Sequence, residues 1–144
     1  MIKLADVYQE IFSRINTLSQ EPKNYHVYDE VPNEPSNPHI RVDYAYDIDK
    51  SGKNYEGMVY YQYIHVFSTY RGRKEVLEMT DDVIAVLSDK IETDTFTAYP
   101  SLERNEIITE SDNTGGIVRG YNINESYRHS IIVYKYIIYN KWER

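Results

Sequence analysis

The chain has 144 residues, of which none is cysteine, 6 are glycine and 5 are proline. The absence of cysteine excludes disulfide bonds, thiolate zinc sites, iron–sulfur clusters and cysteine nucleophiles. The sequence also lacks internal repeats, low-complexity tracts and any linker long enough to separate two units. A chain of this length normally folds as one unit, so we predict a single domain spanning residues 1–144.

Long apolar runs are missing as well. No segment approaches the ~18 consecutive apolar residues that indicate a membrane-spanning helix. Residues 1–6 lack the apolar block of a secretion signal. We therefore expect a soluble protein that is made in the cytoplasm and has no membrane partner.

The common sequence motifs of catalysis do not occur. The chain has no nucleophile elbow, no P-loop and no dinucleotide-binding glycine pattern. Neighbouring carboxylates such as Asp81 and Asp82 point in different directions on a helix and indicate solvated charge. We predict that the protein is not an enzyme and uses no cofactor.

Two patterns resemble metal sites, and both are incomplete. Residues 47–53 offer oxygen ligands and a glycine in the order of the first half of a calcium loop, but Met58 occupies the position of the required glutamate. The four histidines are far apart in sequence, although His65 and His129 lie on predicted strands that could bring them together. We predict a hydrated turn, histidines on strand faces, and no metal.

The charge is acidic and evenly distributed. The 23 acidic and 16 basic residues give a net charge of −7, with 10 acidic and 7 basic residues in positions 1–72 and 13 and 9 in positions 73–144. Neither half has the basic surface of a nucleic-acid-binding protein. The basic cluster at residues 70–74 is predicted to close a strand and start a helix, or to meet an acidic patch on a neighbouring subunit.

Tyrosine is unusually abundant, with 16 copies beside 3 phenylalanines and 1 tryptophan. Tyrosine favours strands and interfaces, because its ring packs against apolar groups while its hydroxyl stays hydrated or hydrogen-bonded. This composition favours a β-rich fold.

Apolar residues recur at three- and four-residue spacings in two segments, which predicts amphipathic helices over residues 2–18 and 73–91. Alternating apolar residues predict strands elsewhere. These strands cover residues 26–31, 40–46, 58–69, 95–98, 105–110, 117–123 and 129–139, with polar turns at 47–57 and 111–116.

The order of these elements favours an α+β fold, in which a largely antiparallel sheet carries both amphipathic helices on one face. The predicted strands at 58–69 and 129–139 are apolar in both phases of the alternation, so both of their faces should be covered. Two helices cover only one face. The other face must meet a further sheet segment of the same chain or a second subunit.

Three segments occur in an order that resembles a known protein family. They are residues 27–32 with the sequence VYDEVP, residues 38–42 with PHIRV, and residues 64–76, which begin with IHVFS. In order and spacing they resemble the tail-completion, or tail-terminator, family of long-tailed siphophages and related prophages. The resemblance covers residues 4–91, and the last third of the chain fits only as a set of strands.

The resemblance implies a structural virion protein that forms a ring, commonly hexameric, on the head-proximal end of the tail tube. Such a ring stops tube polymerisation and joins the tail to the head. The implied partners are further copies of the chain, the tail tube protein and a head-completion or connector protein, while DNA passes through the lumen without specific binding. The implied location is the head–tail junction of the virion, after assembly in the host cytoplasm.

The candidate contact residues follow from the predicted elements and this resemblance. Loop residues expected to face the lumen or a partner are Asp47, Asp49, Lys50, Lys53, Asp112 and Asn113. Residues expected at a subunit interface are Tyr61, Tyr63, Tyr70, Arg71, Arg73, Tyr134 and Tyr136. Two alternatives stay open: a head-closure or connector adaptor protein, and a small-ligand-binding α+β domain whose tyrosines line a pocket.

Overall fold

The computed structural model describes residues 1–70, 72–110, 117–118, 121–122 and 127–141. Three of the candidate contact residues, Arg71, Asp112 and Asn113, lie outside these ranges.

The described residues contain two α-helices, α1 at Leu4–Asn16 and α2 at Lys74–Leu87. α1 continues into a short 3-10 turn at Thr17–Ser19, so the first helical segment agrees with its prediction. α2 ends before the predicted residue 91, because Ile91 pairs in a short strand instead. No helix in these ranges combines the length and the apolar composition needed to cross a membrane.

The strands are β1 His26–Tyr28, β2 His39–Asp49, β3 Gly57–Ser68, β4 Ile91–Glu92, β5 Phe96–Glu110, β6 Ile117–Val118, β7 Tyr121–Asn122 and β8 Tyr127–Asn140. Within the described part of the chain, six of them form one sheet in the order β1-β2-β3-β8-β5-β4, and β6 pairs with β7. The centre of the sheet is therefore made by β3 and β8, the two strands predicted to be apolar on both faces.

The described sheet is mixed and not purely antiparallel, although most of its strand pairs are antiparallel, as expected. β1 runs parallel to β2, whereas the other neighbouring strands are antiparallel. The connection from β1 to β2 contains three prolines in residues 32–38. Proline restricts the backbone and removes a donor, so this segment forms no tight hairpin, and the chain returns to start β2 in the direction of β1.

β5 runs continuously from Phe96 to Glu110, where the sequence predicts two short strands. Pro100 suggests a break, but β4 pairs only with Thr97 and Ala98, so Pro100 has a free edge on one side. A missing N–H is tolerated at such an edge. A bulge between Leu102 and Arg104 accommodates the remaining irregularity.

Both helices pack on the same face of the sheet, and the hydrophobic core lies between these two layers. α1 contributes Val7, Ile11 and Ile15, and α2 contributes Val76, Met79, Val83 and Leu87. β3 and β8 contribute alternate residues, which are Met58, Tyr60, Ile64, Val66, Ile132, Tyr134, Tyr136 and Ile138.

Two residues predicted at a subunit interface belong to this core. Tyr134 and Tyr136 are only 2% and 0% exposed. The register pairs Tyr134 with Gln62 and Tyr136 with Tyr60, which places both rings on the helix-covered face. The prediction that they face a neighbouring subunit is therefore wrong.

Candidate assembly surface

The face of the sheet turned away from the helices is called the open face here. Its residues alternate with those of the core, so every second side chain of β2, β3 and β8 belongs to it. The central members are Tyr46, Ile48, Val59, Tyr61, Tyr63, His65, Phe67, His129, Ile131, Val133, Lys135, Ile137 and Tyr139. The apolar character of both phases thus reflects two different environments, one covered by α1 and α2 and one on which no helix of the described residues packs. Some members of the open face, such as Phe67 and Val133, are nevertheless buried by their neighbours.

Four tyrosines form an aromatic cluster on the open face. Tyr46 stacks on Tyr61 with ring centroids 4.6 Å apart, and Tyr44 meets Tyr63 edge-on at 5.5 Å. Tyr44 is 60% exposed and Tyr46 is 37% exposed, although both rings belong to an ordered cluster. Rigid rings with one polar atom suit protein–protein contact, because they bury a large area at a low cost in side-chain entropy.

A bulge in β2 gives this cluster its shape. The register with β3 shifts between Val42 and Ala45, so the side chains of Asp43 and Tyr44 both contact open-face residues. The side-chain amide of Gln62 holds the bulge by donating to the carbonyl oxygens of Asp43 at 2.9 Å and Tyr44 at 3.3 Å. The buried Gln62 therefore positions an exposed aromatic residue on the opposite face.

Three histidines and an arginine surround Phe67 at the other end of the open face. The Phe67 ring stacks on His129 at 4.2 Å and on His39 at 4.9 Å, and the Arg41 guanidinium lies 4.4 Å from its centroid. His65 Nδ1 and His129 Nε2 are 2.6 Å apart, so the two histidines meet as the sequence allowed. Within the described ranges, no group of three or more histidine or carboxylate side chains is arranged to hold a metal ion.

His39 is fully buried and uncharged. Burial, together with the Arg41 cation, lowers the pKa of His39 from 6.5 to about 3. The Arg41 Nε–H lies 3.0 Å from His39 Nε2, and His39 Nδ1 lies 3.0 Å from the Asn37 side-chain oxygen. These contacts fit a neutral ring that accepts at Nε2 and donates at Nδ1.

The centre of the open face carries little charge. Lys135 is the single lysine, arginine or carboxylate among the central members named above. Depletion of charged residues with enrichment in aromatic residues is the composition of an interface core.

The four candidate loop residues that the structure describes lie at one end of the sheet. Asp47 and Asp49 are the last residues of β2 on the core-facing side, and Lys50 and Lys53 are exposed in the turn to β3. The backbone N–H of Lys50 donates to the Gly57 carbonyl at 2.9 Å. Hydrogen bonds from the Ser51 hydroxyl and N–H lower the pKa of Asp49, so this carboxylate stabilises the turn.

The six predicted interface residues that the structure describes divide among three places. Tyr61 and Tyr63 lie on the open face, Tyr70 and Arg73 lie in the turn between β3 and α2, and the two β8 tyrosines lie in the core. The turn is suited to Gly72, whose φ of +86° favours glycine.

Sequence reasoning missed other members of the open face, mainly Tyr44, Tyr46, Ile48, Tyr99 and Tyr139. All five are large hydrophobic residues that remain exposed. The alternation of apolar residues in β2 was visible in the sequence. The sequence did not show that Tyr46 pairs with Tyr61, and this pairing decides which β2 side chains lie on the open face.

Both the sequence and the fold of this chain are similar to those of known proteins. The family model described as tail completion protein gp17 matches residues 13–120. A chain from the structure titled "Virion of native gene transfer agent (GTA) particle" has a similar fold, with a TM-score of 0.55, 13% sequence identity, and coverage of 89% of this chain and 91% of that chain. A search of the curated proteins found no match. The family model spans well over half of the chain, and the chain therefore belongs to the tail completion protein gp17 family.

Proposed function

We propose that the protein is a structural component of a phage-like virion that caps the head-proximal end of the tail tube as a hexameric ring. The ring stops tube polymerisation and joins the tail to the connector of the head. Membership of the tail completion family supports the role in the tail. The open face is the observation that supports self-assembly, because it presents ordered aromatic residues that no helix covers.

The subunit contact uses the open face of one copy, with Tyr61 and Tyr63 at its centre and Tyr44 and Tyr46 at its rim. Fully burying an aromatic or aliphatic side chain contributes about 1.5–3 kcal/mol. A few such residues are enough for a specific contact. A ring forms when this face meets a different surface of the next copy and the rotation closes, since a contact between two identical faces would stop at a dimer.

The end of the tube acts as a template for the ring. Several weak contacts made at once on one template gain a large effective concentration. The free protein is therefore expected to remain monomeric, or nearly so, at low concentration. This also explains how a surface with exposed tyrosines is compatible with a soluble subunit of net charge −7.

The turn between β2 and β3 faces the lumen or a neighbouring protein in this arrangement. Lys50 and Lys53 lie in this turn, and Asp47 and Asp49 lie beside it at the end of β2. Asp112 and Asn113 of the second predicted turn are assigned the same role. Tyr70, Arg71 and Arg73 are assigned to the rim of the subunit contact. The chain's acidic charge lets DNA pass without specific binding, because like charges repel the phosphate backbone.

Deletion of the gene from its phage genome, followed by electron microscopy of the lysate, tests this function. We expect full heads beside unattached or overlong tails. Normal virions would contradict the proposal. Tails of normal length beside unjoined heads would instead indicate the head-closure or connector adaptor, which joins the head without controlling tube length.

A further inference from the structure

Part of the outer edge of β2 has no neighbouring strand. β1 pairs only with His39, Ile40 and Arg41, and within the described chain no strand continues alongside the rest of β2. The first free residues form the bulge, whose carbonyls are bonded to Gln62. Residues 45–49 follow as a regular strand with one free side.

The hydrogen bonds between β2 and β3 show which backbone groups of β2 face its free edge. The Lys50 N–H donates to the Gly57 carbonyl, and hydrogen-bonded pairs alternate with non-bonded pairs along antiparallel strands. Every second residue before Lys50, namely Ile48 and Tyr46, therefore bonds to β3. The backbone groups of Ala45, Asp47 and Asp49 therefore point away from β3, toward the free edge. An extended segment placed there would find donors and acceptors at alternate residues.

A cleft of about 310 Å³ opens beside this edge, between the start of α1 and the second half of β2. It is lined by Leu4, Ala5, Tyr8, Ala45, Tyr60 and Asp47, with Tyr46 at its rim. Among these described lining residues, Asp47 alone carries a charge. The cleft thus combines tyrosine rings, small apolar groups and one carboxylate.

The polar atoms of the two inner tyrosines are already engaged. The Tyr8 hydroxyl donates to Asp29, and the Tyr60 hydroxyl donates to the Gln62 side-chain oxygen at 3.0 Å. Burial and the nearby Asp47 charge raise the pKa of Tyr60 to about 12. The Tyr60 ring is almost fully buried, so the half-buried Tyr8 ring is the aromatic surface that a ligand reaches in the cleft. The hydrogen bonds and the charge must come from the β2 backbone and Asp47.

We propose that an extended, basic segment of another virion protein adds to this edge as a strand, with a lysine or arginine opposite Asp47 entering the cleft. The added strand bonds to the outward backbone groups of β2, which is a common mode of peptide recognition. Its cation forms a cross-strand pair with Asp47 and lies against the Tyr8 ring. This surface meets the open face only at Tyr46 among the described lining residues, and separate experiments test the two proposals.

A second copy of the chain fits this edge poorly. Within the described chain, the other free edge of the sheet is β5 beyond Ala98, and it carries Pro100 and a bulge. Its Arg104 is already paired with Glu106, so this edge brings no unpaired cation to Asp47. Pairing it with β2 would also leave Pro100 without a donor. The backbone and the charge of Asp47 both favour a basic segment from a different protein.

Two synthetic peptides test the inference on the full-length protein. Each has eight residues of alternating threonine and valine, and they differ only in a central lysine or glutamate. The readout is the amide NMR spectrum during titration. We expect the lysine peptide to shift the signals of Ala45, Asp47 and Asp49 and to bind about tenfold more tightly than the glutamate peptide, as expected for one ion pair with a cation–π contact.

Asp47→Asn should remove this preference, while the matched control Asp94→Asn, an exposed carboxylate at the other edge of the sheet, should retain it. Equal binding of both peptides, shifts confined to the open-face tyrosines, or no shifts at millimolar peptide would each overturn the inference. None of these results would affect the ring, which the deletion experiment tests separately.

Discussion

The two faces of the sheet are built from alternate residues of the same strands, and both are rich in tyrosine. Tyr60 and Tyr136 lie under the helices, whereas Tyr61 and Tyr63 belong to the other set of alternating residues and lie on the open face. The rings of the core are fixed by apolar packing. Those of the open face are ordered mainly by one another and keep a wet side, so their remaining area is available to a partner.

Because both faces contain tyrosines, tyrosine content alone does not identify an interface. In the core, the Tyr60 hydroxyl bonds to Gln62 and the Tyr134 hydroxyl donates to the Ile84 carbonyl at 3.2 Å. On the open face, Tyr44 and Tyr46 stay exposed yet contact neighbouring rings. The tyrosines of the proposed interface differ from those of the core because they are exposed and still contact neighbouring rings.

The largest expected effect is on assembly. The double substitution Tyr44→Glu and Tyr46→Glu would place unpaired charges in the proposed contact, at a cost of about 3 kcal/mol or more. We expect complementation of a gene-deleted phage to fall by about a hundredfold or more. The matched control is Leu77→Glu on α2, which is 44% exposed on the helix layer and should leave the titre unchanged.

Substitutions in the core should lower the stability of the monomer, whereas those on the open face should mainly affect assembly. Tyr136→Ala should lower the free energy of unfolding by about 3–5 kcal/mol, because it removes a fully buried ring. Tyr46→Ala should cost less than ~1 kcal/mol, since an exposed ring stabilises the monomer little. Urea denaturation measures both, and equal losses would contradict the distinction between the faces.

The free energy of unfolding should depend on pH through the buried His39. Because the pKa of His39 falls to about 3 on folding, the unfolded chain binds a proton between roughly pH 3 and 6.5 that the native protein does not. Stability should therefore decrease as the pH falls through this window, by about 2 kcal/mol from pH 7 to pH 5. His39→Gln should remove this part of the pH dependence, whereas a similar change at the exposed His26 should retain it. Identical pH profiles for His39→Gln and the unmodified protein would show that this histidine is protonated alike in both states.

The smallest effect concerns a single hydroxyl group. The Tyr136 hydroxyl is buried and has no hydrogen-bond partner within the described part of the chain. Tyr136→Phe should therefore change the free energy of unfolding by less than ~1 kcal/mol, or raise it, because it removes a desolvated polar group. A loss as large as that of Tyr136→Ala would indicate that the hydroxyl is bonded in solution.

The elements whose signal is local could be predicted from the sequence. The spacing of Val7, Ile11 and Ile15 predicted the buried stripe of α1, and the alternation in residues 58–69 predicted β3 with both faces apolar. The assignment of strands to faces could not be predicted. It depends on the register between β3 and β8, and a shift of one residue exchanges the two faces.

The same limit applies to the candidate surfaces. The sequence identified Tyr61 and Tyr63 but not Tyr44, because the bulge that brings Tyr44 to them depends on Gln62, which is distant in sequence. The β2 cleft was equally hidden, since Tyr8 and Tyr60 come together only through packing of α1 on the sheet. Asp47 was predicted as a loop residue of the turn at 47–57, but β2 continues to Asp49, and the aromatic surroundings of Asp47 were not visible in the sequence.

The central claim is that the open face is buried when the protein assembles, and the absence of cysteine makes it directly measurable. Single-cysteine variants Tyr44→Cys and Leu77→Cys would be labelled with a maleimide, first as free protein and then in purified virions. The account predicts that Cys at position 44 loses most of its reactivity on assembly while Cys at position 77 stays reactive. Continued labelling at position 44 in intact virions, with protection at position 77, would contradict it.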